Sequence, residues 1–201
     1  MSATFTTKLR LVSLALATAL TTIASGALAG QKIAVVTPYL AQPGTQFYVE
    51  AFQEEAKANG WEVNVIDTKG DVAAVVSRLE DVSNQKVDAI VINVDPSQVA
   101  AGLETAKAAN IPVFGMDAGA NPLLVTNVTS NGYSMAADTA AYVANRIGGK
   151  GNVVMFVFDA FPPVQARGII ADAIFKNNPD IKVLDRVTQD VADGGIADSC
   201  A

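Results

Sequence analysis

Residues 87–117 read VDAIVINVDPSQVAAGLETAKAANIPVFGMD, and this stretch from Val87 to Asp117 decides the fold class. Ala89 to Val94 is a short apolar run rich in β-branched residues, as expected of a strand buried on both faces of a parallel sheet. Asp95-Pro96 then opens a helix. Asp accepts hydrogen bonds from free amides of the first turn, and Pro fits the first helical position because its missing N–H would have no helical partner. Val99, Leu103 and Ala106 share one face of that helix, and Asn110 ends it. Ile111 to Met116 is a second apolar strand, closing on Asp117. The unit is β-α-β, with a right-handed crossover expected. Asn93 and Asp117 fall at the carboxyl ends of their strands, where open α/β sheets bind small ligands. The stretch defines an architecture and a face, but no reaction.

The same alternation continues on both sides. Upstream, Lys32 to Thr37 is a strand, and a loop with two prolines leads to Thr45, which caps a helix running to about Asn59 and stopping at Gly60. Trp61 to Asp67 is a strand, Lys69-Gly70 a turn, and Asp71 the cap of a helix to about Gln85. Downstream, Leu123 to Thr126 is a short strand, and Asn131 caps a long Ala-rich helix to about Ile147. After the flexible junction Gly148-Gly149-Lys150-Gly151 come a strand (Asn152 to Phe158), a helix (Pro163 to Asn177) and a strand (Ile181 to Val187). Asp193 to Ala201 has the look of one more helix start. The expected class is α/β: a doubly wound parallel lobe over 30–130, then a crossover helix and an incomplete second lobe of the same kind over 131–201. A parallel sheet of two strands cannot bury itself, so exposed apolar surface is expected there.

Residues 1–29 read as a secretory signal peptide. Lys8 and Arg10 precede an apolar core from Leu11 to Ala24, and Ala27-Leu28-Ala29 is a small-x-small cleavage site. The core is shorter than the roughly 20 residues a spanning helix needs. Gly30 stands where a lipoprotein would carry Cys, so no lipid anchor is expected. Removing Lys8 and Arg10 with the leader takes the net charge from −6 to −8, which argues against nucleic acid as a partner.

The chain has no His, so the commonest general base and metal ligand is missing. No G-x-S-x-G elbow is present, and a hydrolase triad has no base. No catalytic residue, metal or cofactor is therefore expected. Cys200, the single Cys, cannot form an intramolecular disulfide and reads as incidental. The Gly148–Gly151 cluster precedes a strand, whereas phosphate-cradling loops join a strand to a helix; it reads as a connector.

Four carboxylates recur at strand ends. Asp95 reads as a helix cap and Asp67 as turn chemistry. Asp117 and Asp159 precede no clear helix start, and a carboxylate there can accept hydrogen bonds from vicinal hydroxyls. Arg167 lies in the first turns of the helix after Phe161-Pro162-Pro163, and Asn131 caps the helix before it. Asp, Asn and Arg beside aromatic walls (Tyr39, Tyr48, Phe161) suit polyhydroxyl ligands, in which every oxygen must be paired. Phe47 is expected in the helix core.

These residues carry a resemblance. The leader, K-I-A-V-V-T-P-Y, V-D-A-I-V-I-N-V-D-P, N-I-P-V-F-G-M-D and V-T-S-N-G-Y together resemble the ribose-binding-protein-like periplasmic binding proteins of type I, over essentially all of 31–199. The resemblance implies two α/β lobes that close on a monosaccharide or polyol, delivery to the membrane permease of an ABC importer, a periplasmic location and a monomer. It implies ligand contacts at Gln42, Asn93, Asp117, Asn131 and Arg167. An exported sensing module feeding a chemoreceptor or sensor kinase is the alternative role. The repressors that share this core carry an N-terminal helix-turn-helix where this chain has its leader. The sequence departs from the ribose binders at Gly44-Thr45, where they place two aromatics, at Ala118, where they commonly place Arg, and at Ser130, the middle of their S-D-N triplet, so ribose is not implied. Family members continue well past residue 201, so the chain resembles a binding protein cut short within its second lobe.

Overall fold

Polar breakers and caps divide the chain into the expected alternating elements, seen in a computed structural model that describes residues 30–189. The leader, the helix start after Asp193 and Cys200 lie outside the described residues. Five parallel strands form one sheet: β1 (Lys32–Thr37), β2 (Glu62–Asp67), β3 (Ala89–Ile92), β4 (Val113–Met116) and β5 (Thr126–Val128), in the order β2-β1-β3-β4-β5. Between them run α1 (Pro43–Ala58), α2 (Val72–Asn84) and α3 (Ala100–Ala108). The strand order reverses between β1 and β3, the switch point at which doubly wound sheets open a crevice. Val36 is level with Ile92 there, so Thr37 and Asn93 leave the sheet side by side.

Period-two alternation assigns the faces. Ala34, Val36, Ile90, Ile92 and Val113 meet Val75, Leu79 and Val82 of α2 and Leu103 and Ala106 of α3. Ile33, Val35, Val91 and Met116 point the other way, onto Val49 of α1 with Tyr48, Phe52 and Trp61 partly buried beside them. Full burial of a Leu, Ile or Val of this kind stabilises by roughly 1.5–3 kcal/mol over exposure. Helices α2 and α3 pack so closely that a Cβ on Gly102 would come within 2.7 Å of Leu79 Cδ1.

Three local expectations are corrected. Helix α1 starts at Pro43 with Gln42 as N-cap, because Pro takes the first position and the Thr45 hydroxyl bonds elsewhere. The helix after Asp95 begins with a 3-10 turn, Pro96–Val99, while Asp95 accepts from Ser97 N as expected of a cap. The last strand of the lobe is Thr126–Val128, not Leu123 to Thr126. Asn121 accepts from the amides of Leu123 and Leu124, which spends both on a turn, and the two leucines pack on the core instead.

Beyond β5, α4 (Gly132–Arg146), β6 (Gly151–Val157), α5 (Pro162–Lys176) and β7 (Ile181–Thr188) form a second unit, with β6 and β7 paired in parallel. Ala140, Ala144, Met155, Val157, Phe175 and Ile181 make its core. The alternate residues Val154 and Phe156 are exposed, Phe156 by 54%. Among the described residues, helices cover one face of this small sheet and nothing covers the other, as expected of two strands. No helix among the described residues is long and apolar enough to cross a membrane.

Candidate functional site

The carboxyl ends of β1, β3 and β4 carry polar groups into a dry place. Asn93, 1% exposed, accepts at Oδ1 from the hydroxyls of Thr37 (3.2 Å) and Thr45 (3.1 Å), and its Nδ2 donates to Met116 O at 2.6 Å. Thr37 also accepts from Tyr39 N at 3.0 Å. This network ties β1, α1, β3 and β4 together, so the site sits on sheet and helix rather than on free loops.

Asp117 follows β4 in the left-handed region, with φ of 49°. Asp tolerates that conformation better than most residues, though at a cost of order 1 kcal/mol, which its surroundings must offset. Its amide donates to Val128 O at 2.6 Å. Its Oδ1 accepts from Thr129 Oγ1 at 2.6 Å and, at 3.4 Å, from Ser130 N. Asn127 clamps the next residue, accepting from Ala118 N and donating to Ala118 O. The carboxylate is thus buried and aimed by strand β5 and the turn after it.

The second unit supplies the opposite wall. Arg167, in the first turns of α5, donates through Nη2 to Ser130 Oγ at 3.3 Å. Its Nε is buried without a partner, and so is Nε2 of Gln189. Phe161, the N-cap of α5, rests on Tyr39 at 5.3 Å between ring centroids, and Phe158 meets the same ring edge-on at 6.2 Å. Burial first, and the charge of Asp95 second, raise the pKa of Tyr39 above its ordinary value. Beside the rings, Gln98 Nε2 donates across the same seam to Ala160 O at 3.1 Å.

Between these walls lies a cavity of about 400 Å³, the size of a small-molecule site. Gln42, Asn93, Asp117, Phe161 and Arg167 all line it, so the fold brings five of the six residues singled out in the sequence to one place. Asn131 is not on the lining; its side chain is spent capping α4 by accepting from Ser134 N at 3.1 Å. Tyr39 and Tyr48 form walls, as read from the sequence. Phe47 is neither wall nor core: it is 71% exposed. Asp159 is off the lining and pairs with Arg186 at 3.5 Å. Gln189 was missed. It lies just past the last strand, and the rule that ligands gather at strand carboxyl ends would have found it.

Carboxylate and guanidinium facing one cavity from two α/β units, with aromatic walls, form a hydrogen-bonding site. Among the described residues no group of three or more His, Cys, Asp or Glu could hold a metal ion. Residues 33–199 match the family of the periplasmic binding protein domain.

The chain belongs to that family.

As a periplasmic binding protein it is 32% identical over 146 residues to the xylitol-binding protein of Mycolicibacterium smegmatis, covering 69% of this chain and 41% of that one. It is 33% identical over 101 residues to the ribose import binding protein of Bacillus subtilis, covering 49% of this chain and 33% of that one. The chain therefore spans less than half the length of both relatives. Among solved structures, an ABC transporter solute-binding protein from Agrobacterium vitis with bound allitol superposes with a TM-score of 0.71 at 27% identity, over 79% of this chain and 55% of that one. The relatives are binding proteins by name, and the fold is that of type I periplasmic binding proteins: one doubly wound lobe followed by part of a second.

Proposed function

We propose that this protein is exported, loses residues 1–29, and captures a neutral monosaccharide or polyol in the periplasm for the permease of an ABC importer. The observation that carries the reading is the opposition of Asp117 and Arg167, an acceptor and a donor on different lobes lining one cavity. A sugar hydroxyl can donate to the first and accept from the second at once, which few other ligand groups can do. Tyr39, Phe158 and Phe161 present apolar faces to the C–H surfaces of such a ligand. Binding draws the lobes together by populating the closed arrangement, and no covalent step is involved. In this reading the protein acts as a monomer. Support comes from family membership and from relatives whose names state xylitol and ribose.

Isothermal calorimetry of the full chain against xylitol, D-ribose, D-allose and allitol tests the capture step. One-to-one binding to at least one is expected; no heat with any of them would refute it. Growth of a deletion strain on the sugar that binds tests the import step. Loss of growth supports transport, whereas normal growth with lost chemotaxis or gene induction would assign the protein to sensing.

A further inference from the structure

Gln189 holds a position that the capture reading does not by itself require. Its amide donates to Val157 O at 2.8 Å, extending the β6–β7 ladder by one rung, so the sheet fixes where its side chain starts. That side chain lines the cavity, and its Nε2 is buried with no partner. Among the described residues only one other side-chain atom shares this condition, Nε of Arg167, whose residue also lines the cavity. Buried donors without partners are rare and destabilising, so two of them on residues that line one cavity point to a ligand that completes them as the site closes.

We propose that Gln189 is a direct ligand contact, closing the site from the second lobe by hydrogen bonding to a hydroxyl of the bound sugar or polyol; this rests on the capture reading above. A hydroxyl suits the site because it accepts from an amide N–H while donating to Asp117 or to another hydroxyl. A carboxylate has acceptors only and cannot donate to Asp117, whereas a hydroxyl can meet Asp117, Arg167 and Gln189 alike. Gln189 therefore selects for a hydroxyl at one position of a neutral ligand.

The test is calorimetry of the full chain with the tightest binder among xylitol, D-ribose, D-allose and allitol, and then with each of its mono-deoxy analogues. Gln189→Leu is expected to weaken the parent ligand about tenfold, as the loss of a buried hydrogen bond does. Gln189→Asn, which keeps the amide but draws it back by a methylene, is expected to lose less. One deoxy analogue should bind the wild type more weakly, yet bind Gln189→Leu no worse than the parent does. A merely structural role would instead weaken all analogues equally and overturn the assignment. Wild-type binding with an unchanged Kd in both variants overturns the Gln189 contact alone. If the wild type binds no member of the panel, the capture reading and the Gln189 contact fall together.

Discussion

The ring of Tyr39 lies against the ring of Phe161, centroids 5.3 Å apart and planes tilted by 58°. One side chain follows β1 of the first lobe and the other caps α5 of the second, so this contact is a seam between lobes beside the ligand cavity. Aromatic pairs of this geometry contribute about 0.5–1.5 kcal/mol beyond the area they bury. A double-mutant cycle with Tyr39→Leu and Phe161→Leu should give a coupling of about 1 kcal/mol in denaturant melts. Strict additivity would show that the seam does not hold in solution.

The same tyrosine predicts an alkaline loss of stability. Its pKa lies above the ordinary 10.0 in the fold, so the folded protein keeps a proton that the unfolded chain releases. The contribution is complete below pH 10 and is lost as pH rises through the folded value. Melting temperatures followed upward from pH 9 should fall more steeply for the wild type than for Tyr39→Phe. Parallel curves would contradict the buried phenol.

Asp117 and Asn93 should separate binding from folding. Asp117→Asn keeps a residue that tolerates the left-handed backbone and can still accept from Thr129, so stability should change by less than about 1 kcal/mol. Ligand affinity should nonetheless fall at least tenfold, because the charge-assisted acceptor is gone. Asn93→Leu strands the Thr45 hydroxyl and Met116 O and leaves the Thr37 hydroxyl only the backbone O of residue 93, and should cost about 1–3 kcal/mol in stability. Equal melts for Asn93→Leu and wild type would mean that network is not formed.

At the packed side of the first lobe, Gly102→Ala should cost about 1–3 kcal/mol by overpacking. A Cβ there would stand 2.8 Å from Leu79 Cβ, the root of that side chain, so a rotamer change cannot relieve the clash. Thermal melts of Gly102→Ala decide it, and an unchanged melting temperature would show that the two helices can part at no cost.

Outside the cavity, Gln98→Ala removes the hydrogen bond to Ala160 O without touching the lining. A weakening of ligand binding by a factor of about 2–5 with an unchanged melt is expected, since an exposed bond contributes little to stability. An unchanged Kd would exclude Gln98 from closure.

What could be read from the sequence was what local chemistry decides. Asp71 caps α2 and Asn131 caps α4 through their side chains, as their positions before apolar repeats required. Asn93 and Asp117 were legible as strand-end residues because the apolar runs before them are short and unbroken. What failed depended on partners distant in sequence. Leu123 and Leu124 have strand composition, but Asn121 captures their amides in a turn. Phe47 is apolar and helical, yet the buried face of α1 runs through Thr45, Val49 and Ala56 and leaves it in solvent. Gln189 lies beyond the predicted end of β7, and only the pairing of β7 with β6 carries it to the cavity.

Strand β6 lines the cavity at Phe156 and Val157 and Gln189 follows β7, yet among the described residues each strand is an edge, and Val154 and Phe156 of β6 are about half exposed. Local opening draws on regions with few buried contacts, so this wall is the part of the site that frays first. The fraction of molecules in which the wall is intact multiplies the intrinsic affinity. Whatever covers the bare face of β6 and β7 would therefore tighten ligand binding without touching the ligand, by preorganising Arg167 and Gln189 rather than by adding a contact.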